Sequence, residues 1–168
     1  MAKTESKMVQ LGTRAPLFKL SSTTGEEIDL NDYNKNRPLL IMFICNHCPY
    51  VKHILPNLTA FAKETMAKGV DIIAINSNDI KAYPEDSPQY MKELSQEYQF
   101  PFPYLFDEDQ KVAKAYSAAC TPDFFLYDKN RTLVYRGQMD SSRPGNSLPN
   151  NASDLADAIN QTLQGLLP

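Results

Sequence analysis

The sequence has few cysteines, no excess of basic residues and no long apolar run. Three cysteines among 168 residues are too few, and odd in number, for the disulfide framework of a small secreted protein. The net charge is −3 and the basic residues are scattered, so nucleic acid is not an expected partner. No apolar stretch approaches the ~20 residues of a membrane span, and the N-terminus lacks the apolar segment of a signal peptide. We therefore expect a cytoplasmic protein without a membrane partner.

The composition indicates one globular domain. Hydrophobic residues make up 42% of the chain, which is enough for a single core at this length. Residues 1–9 are polar and are predicted to form a flexible tail. Residues 10–168 contain no repeat and no linker that would divide them, so we interpret them as a single domain.

The spacing of apolar residues predicts an α/β fold. Short apolar pieces on either side of Thr23–Glu26 predict a β-hairpin. Apolar runs at 39–44 and 70–75 predict two strands buried on both faces, and a helical pattern lies between them, so the three form a parallel βαβ unit. Further strands are predicted at 104–106, 123–127 and 132–136, and further helices after an N-cap at Ser87, at 110–117 and after an N-cap at Ser153. Together these elements predict a central mixed sheet flanked by helices.

The junction between the first buried strand and its helix contains two cysteines, Cys45 and Cys48, with His47 between them. Pro49 suits the first helical position, because its fixed φ and missing N–H cost nothing there, and Cys48 then becomes the N-cap residue. A thiolate at this position faces free backbone N–H groups and the positive end of the helix dipole. Such placement can lower a cysteine pKa from ~8.5 to ~3.5–7.5. Cys48 is therefore the predicted nucleophile.

Three segments resemble one group of proteins: FICNHCPYVKH at 43–53, CTPD at 120–123 and RGQMDSSRPGN at 136–146. On these motifs the chain is similar to thioredoxin-fold, peroxiredoxin-like proteins of the alkyl hydroperoxide reductase / thiol-specific antioxidant family, and within them to a subgroup with a Cys-x-x-Cys motif. The resemblance implies a thioredoxin-like fold with a central mixed β-sheet flanked by helices and an N-terminal β-hairpin extension. It implies no cofactor, and since peroxiredoxin relatives often pair, a homodimer is one expectation.

The resemblance also assigns roles to the cysteines. Thioredoxins carry a proline eight residues after their nucleophile, and Pro56 stands in that relation to Cys48. Val51 then occupies the usual place of the second cysteine. Cys45 falls where peroxiredoxins have a hydroxyl residue that bonds the thiolate. The resolving thiol is accordingly Cys45 or Cys120.

The second motif resembles the cis-proline loop of thioredoxin folds, with Pro122 as the cis residue. By this resemblance Thr121, Pro122, Pro49 and Arg143 position the substrate. Cys120 stays open between a resolving thiol and a small buried hydrophobic residue.

The function expected from the resemblance is that of a thiol–disulfide oxidoreductase and antioxidant enzyme. Its partners would be a thioredoxin- or glutaredoxin-type reductant and a protein disulfide, a small-molecule disulfide or a peroxide. A first alternative is a thiol-dependent peroxidase with Cys48 as the peroxidatic residue, although Ile41 and Cys45 depart from the peroxidatic motif, and Arg136 and Arg143 are the candidates for its arginine.

A second alternative is a protein that binds a soft metal such as copper or zinc. Thiolates and an imidazole are ligands that suit these ions. The expected ligand set is Cys45, His47, Cys48 and Cys120.

Overall fold

The fold is a seven-stranded mixed sheet with four α-helices, seen in a computed structural model that describes residue 5, residues 7–33 and residues 35–168. The strands lie side by side in the order β2-β1-β5-β4-β3-β6-β7. Their bounds are Lys19–Ser22 (β1), Glu27–Asp29 (β2), Leu39–Phe43 (β3), Asp71–Asn76 (β4), Tyr104–Phe106 (β5), Asp123–Tyr127 (β6) and Leu133–Gly137 (β7). The helices are Pro49–Ala67 (α1), Pro88–Glu97 (α2), Lys111–Tyr116 (α3) and Ser153–Leu163 (α4). This confirms the predicted fold class.

Strand β3 lies in the interior of the sheet. It pairs in parallel with β4 and antiparallel with β6, and β4 continues in parallel to β5. All five residues of β3 are buried, which explains why the sequence there is an unbroken apolar run rather than an alternating one. The predicted parallel βαβ unit is β3-α1-β4, and the predicted hairpin is β1-β2, which joins the sheet edge through β5.

The sheet has a packed core on each face. Alternate side chains of β3 point to opposite sides, so Leu40 and Met42 join α1, α2 and α4 in one cluster. Leu39, Ile41 and Phe43 join the hairpin region and α3 in the other. Among the described helices, none is long and apolar enough to cross a membrane.

The start of α4 differs from the prediction. Ser153 is its first helical residue and not its N-cap, which is Ala152 with a left-handed φ of 56°. The carboxylate of Asp140 accepts hydrogen bonds from the backbone N–H groups of Asn151 and Ala152 (2.9 and 2.8 Å). A carboxylate from an earlier loop thus holds this turn, so a local capping serine is not required.

Gly69 follows α1 with a φ of 94°, as a helix-terminating glycine does. The predicted flexible tail at 1–9 includes residues 1–4 and 6, which lie outside the described residues.

Candidate active site

The site forms where β3 ends and β6 begins. In the antiparallel register Phe43 lies opposite Asp123, so the residues just after β3 lie beside those just before β6. The peptide bond between Thr121 and Pro122 is cis, which confirms the predicted cis-proline. The N-terminus of α1 and the cis-proline loop therefore face each other across the two free cysteines Cys45 and Cys48.

Cys48 is the N-cap residue of α1, and the residue is only 5% exposed. Its Sγ lies 3.5 Å from the carbonyl oxygen of Thr121. Interactions with the Cys45 thiol, the backbone N–H groups of Val51 and Tyr50 and the Thr121 hydroxyl lower the pKa of Cys48 to about 5, although burial opposes this. The side chain is therefore a thiolate at neutral pH.

Cys45 has the opposite character. It is fully buried, and its Sγ lies 3.3 Å from the hydroxyl oxygen of Thr121. Its interaction with Cys48, then burial, and then the charge of Asp86 raise the pKa of Cys45 far above its usual value. The pair thus consists of one thiolate and one thiol, and the thiol stabilises the anion beside it.

Cys120 lies on the wall of a cleft of about 860 Å³ that also exposes Cys48, Pro122, Tyr83 and Arg143. Burial, followed by the charge of Asp123, raises the pKa of Cys120 to about 11. At neutral pH Cys120 is therefore a thiol and not a nucleophile.

The two candidate arginines are engaged elsewhere. Arg143 donates from Nη1 to the carbonyl oxygens of Asp140 and Ser142 (2.8 and 2.6 Å) and from Nη2 to Gln138, so it stabilises its own loop at the cleft edge. Arg136 is buried, with its guanidinium 4.5 Å from the Phe125 ring centroid.

Arg136 also connects the two ends of the loop that contains the cis-proline. Its Nη2 lies 2.9 Å from both the carboxylate of Asp123 and the carbonyl oxygen of Ser117. Ser117 follows α3, and Asp123 begins β6. The described contacts of both arginines are thus structural.

The sequence interpretation did not identify the buried carboxylate of Asp86, which lies near Cys45. It is fully buried in the turn Pro84–Asp86, and it accepts hydrogen bonds from the backbone N–H of Asn46, the amides of Asn76 and Asn78, and Nδ1 of His47. The run 76–79 at the carboxyl end of β4 gave the one available signal, because loops at strand ends often border sites.

The residues predicted to bind a metal are only partly brought together. In the part of the chain that the structure describes, one group of potential ligand atoms lies within 4.8 Å of one another, and it consists of Cys45, His47 and Asp86. Cys48 and Cys120 do not belong to it. The predicted ligand set is therefore replaced by one with a carboxylate.

Comparison with known proteins assigns the chain to a family. The sequence profile of the AhpC/TSA family matches residues 11–136, which is most of the chain. The chain belongs to the AhpC/TSA family. A curated relative, thiol-disulfide oxidoreductase ResA of Bacillus anthracis, is 25% identical over 130 residues that cover 77% of this chain and 70% of that protein.

Solved structures of other proteins superpose on this chain. An uncharacterised conserved protein from Geobacillus kaustophilus superposes with a TM-score of 0.97 at 48% identity, covering 100% of this chain and 90% of that one. The thioredoxin domain of a thiol-disulfide oxidoreductase from Bacteroides vulgatus superposes with a TM-score of 0.69 at 16% identity, covering 90% and 99%. The second match shows the thioredoxin-like fold alone, which the family resemblance implied.

Proposed function

We propose that this AhpC/TSA protein is a thiol–disulfide oxidoreductase in which Cys48 is the nucleophile and Cys45 the resolving thiol. The observation that carries the proposal is that the two neighbouring sulfurs differ in protonation, one being a thiolate and the other a thiol. Cys48 has a pKa of about 5 and lies at a helix N-terminus on the cleft, whereas Cys45 is buried and keeps its proton. A stable thiolate beside a protonated partner is what the first step of disulfide exchange requires.

The reaction proceeds in two exchanges. The Cys48 thiolate attacks one sulfur of the substrate disulfide, forms a mixed disulfide, and releases the other substrate sulfur as a thiolate that takes a proton from water. Cys45 then loses its proton and attacks Cys48 Sγ. The Cys45–Cys48 disulfide forms, the second substrate thiolate leaves, and the enzyme has lost two electrons to the substrate and the single proton of Cys45 to the surroundings.

The cleft supports a protein or small-molecule disulfide as the substrate. Its volume of about 860 Å³ is within the range of sites for drug-sized ligands, and the Thr121–Pro122 segment lines it next to Cys48. Thr121, Pro122 and Pro49 position the reacting groups in this proposal, whereas Arg143 shapes the cleft edge. A thioredoxin- or glutaredoxin-type reductant would regenerate the dithiol, and a reducing compartment such as the cytoplasm would supply it.

The test is reduction of insulin by the protein in the presence of dithiothreitol. We expect Cys48→Ser to reduce the rate to that of dithiothreitol alone, because no nucleophile remains on the cleft. In a separate incubation with the substrate disulfide and no dithiothreitol, Cys45→Ser should instead trap a mixed disulfide detectable by mass spectrometry, and Cys120→Ser should not. Unchanged turnover by Cys48→Ser would refute the proposal, and trapping by Cys120→Ser in place of Cys45→Ser would reassign the resolving thiol.

Two alternative functions, a peroxidase and a metal-binding protein, are tested by companion measurements. A peroxidase would form a sulfenic acid on Cys48 with one equivalent of hydrogen peroxide, yet the described contacts of Arg136 and Arg143 leave neither arginine on that sulfur. A metal protein would contain stoichiometric zinc or copper after purification without chelators, held by Cys45, His47 and Asp86. We favour disulfide exchange because it uses the thiolate of Cys48, which lies outside that ligand group.

A further inference from the structure

The cleft around Cys48 opens toward both faces of the sheet. One part of its wall comes from α3, which includes the cleft residue Lys114 and packs through Tyr116 on one face. Another part comes from the loop between β7 and α4, which includes the cleft residue Arg143, and α4 packs through Leu155 on the opposite face. A disulfide whose sulfur meets Cys48 can therefore extend one arm toward Lys114 and the other toward Arg143.

Both of these cleft cations lack a carboxylate partner. Among the described residues, no Asp or Glu oxygen lies within 4.0 Å of Nζ of Lys114 or of the guanidinium nitrogens of Arg143. The hydrogen bonds that Arg143 donates end on two backbone carbonyl oxygens and one side-chain amide oxygen, all of them uncharged. These bonds fix the loop but leave the guanidinium charge without an ion-pair partner.

The carboxylates that line the cleft are largely withdrawn from solvent. Asp123 is buried and forms an ion pair with Arg136 at 2.9 Å. Asp140 is buried and accepts hydrogen bonds from three backbone N–H groups. Glu5 is the exposed acid on the described part of the wall. The two cations therefore outnumber the solvent-facing carboxylates there, although the net charge of the whole chain is −3.

This arrangement of charges favours an anionic disulfide. The Cys48 thiolate repels a substrate of like charge, because two negative charges approach each other in the cleft. Cations on either side of the sulfur offset that repulsion, and they also steer anions toward the cleft. A cationic disulfide gains from the thiolate but is repelled at both arms.

On the basis of the proposed disulfide exchange, we propose that the substrates are low-molecular-weight disulfides with a carboxylate on each side of the S–S bond. One carboxylate lies near Lys114 and the other near Arg143 while Cys48 Sγ bonds the nearer sulfur. The S–S bond breaks, and its electron pair leaves with the departing thiolate. The cleft volume of about 860 Å³ is within the range for ligands of this size.

Charge and shape give different predictions for the same substitutions. If the two cations select the substrate, loss of either one slows an acidic disulfide and has little effect on a neutral disulfide of the same size. If only the shape of the cleft matters, each substitution changes the rates of both disulfides by the same factor.

The experiment measures the first exchange with two matched disulfides at low ionic strength. Glutathione disulfide has a net negative charge on each arm, and the disulfide of glutathione monoethyl ester has neutral arms of nearly the same size. The reduced protein is mixed with each, quenched with acid and alkylated, and mass spectrometry gives the second-order rate constant for loss of the free Cys48 thiol. Salt at about 1 M, where the Debye length is only ~3 Å, should remove the difference between the parent and its variants.

Two unit charges separated by roughly 5–10 Å in water change a rate constant by about 2–4-fold. We therefore expect Lys114→Gln to slow the reaction with glutathione disulfide about 2–4-fold, and Lys114→Glu, which reverses the charge, to slow it about 4–16-fold. Arg143→Gln should also slow it about 2–4-fold. Arg143→Lys, which keeps the charge without the planar donor fork, should restore the parent rate. The ester should react with every variant at nearly the parent rate.

Lys111→Gln is the matched control, because it removes the same charge from the same helix. Lys111 is exposed, pairs with Asp109 (2.9 Å) and does not line the cleft, so both rates should stay unchanged. Equal slowing of both disulfides by Lys114→Gln, an equal effect of Lys111→Gln, or an Arg143→Lys variant as slow as Arg143→Gln would overturn the charge-selection proposal. Failure of both disulfides to oxidise Cys48 in the parent would instead refute the proposed exchange, on which this inference rests.

Discussion

The low pKa of Cys48 gives a prediction that can be worked through quantitatively. At pH 6 a thiol with a pKa of about 5 is ~90% ionised, whereas an ordinary thiol with a pKa of ~8.5 is only ~0.3% ionised, so the thiolate fractions differ about 300-fold. The less basic thiolate is intrinsically less nucleophilic, by roughly 25–55-fold for a Brønsted coefficient of ~0.4–0.5. The net advantage at pH 6 is then only roughly 5–12-fold.

Because the two effects nearly cancel at neutral pH, the midpoint of the pH profile is the informative quantity. We expect the alkylation of Cys48 by iodoacetamide, followed by mass spectrometry, to have its midpoint near pH 5. Cys45→Ala should move the midpoint upward, since the Cys45 thiol is the largest cause of the lowered pKa. It should remain below the ordinary ~8.5, because the N–H groups at the start of α1 and the Thr121 hydroxyl still act on the sulfur.

His53→Gln is the matched control, since His53 lies on α1 but is not among the groups that lower the pKa of Cys48. It should leave the profile of Cys48 unchanged. A midpoint above pH 8 in the parent would refute the assignment of Cys48 as the nucleophilic thiolate. A midpoint near 5 that Cys45→Ala fails to move would instead show that the helix N-terminus alone lowers the pKa.

Two further predictions concern stability and are checked by urea unfolding. Asp140→Asn should destabilise the fold by about 1–3 kcal/mol, because it weakens the hydrogen bonds at the start of α4. Burial, the largest contribution, raises the pKa of Asp140, but the Ser142 hydroxyl and the backbone N–H groups of Ala152, Ser142 and Asn151 together hold it below its usual value. The stabilisation is therefore present above ~3.9, the unfolded-state pKa, and is lost as pH falls through the folded-state value. The exposed Asp109→Asn should show no comparable loss. Leu58→Ala should lower the free energy of unfolding by about 2–5 kcal/mol, since Leu58 is fully buried. Leu167→Ala, at an 82% exposed position, should change it by no more than about 0.5 kcal/mol. Equal effects would contradict the assigned core.

The sequence predicted the features that local patterns determine. The apolar runs at 39–44 and 70–75 match β3 and β4 to within one residue at each end, because strands buried on both faces need continuous apolar sequence. Pro49 placed Cys48 at the start of α1 because the geometry of a first helical turn is a local property. The cis state of Pro122 came from family resemblance, since few X–Pro bonds are cis in folded proteins.

Features that depend on distant contacts were not predicted. Asp86 stands in an irregular loop, and its hydrogen bond to Asn46 joins positions 40 residues apart, so no spacing in the sequence distinguishes it from a solvated acid. The N-cap prediction at Ser153 was wrong for the same reason, because Asp140 supplies the acceptor from an earlier loop. In both cases a backbone N–H group is bonded by a carboxylate distant in the sequence, whereas rules based on local sequence consider only neighbouring residues.

The bonds from Arg136 to Ser117 and Asp123 have a practical consequence for redesign. One guanidinium bonds the residues at the two ends of segment 118–122 and so fixes their separation. Residues 118–120 can therefore be randomised as a short library while their attachment points stay in place and Thr121 keeps its contacts with the two cysteines. Such a library would alter which disulfides are accepted without weakening the sheet that presents Cys48.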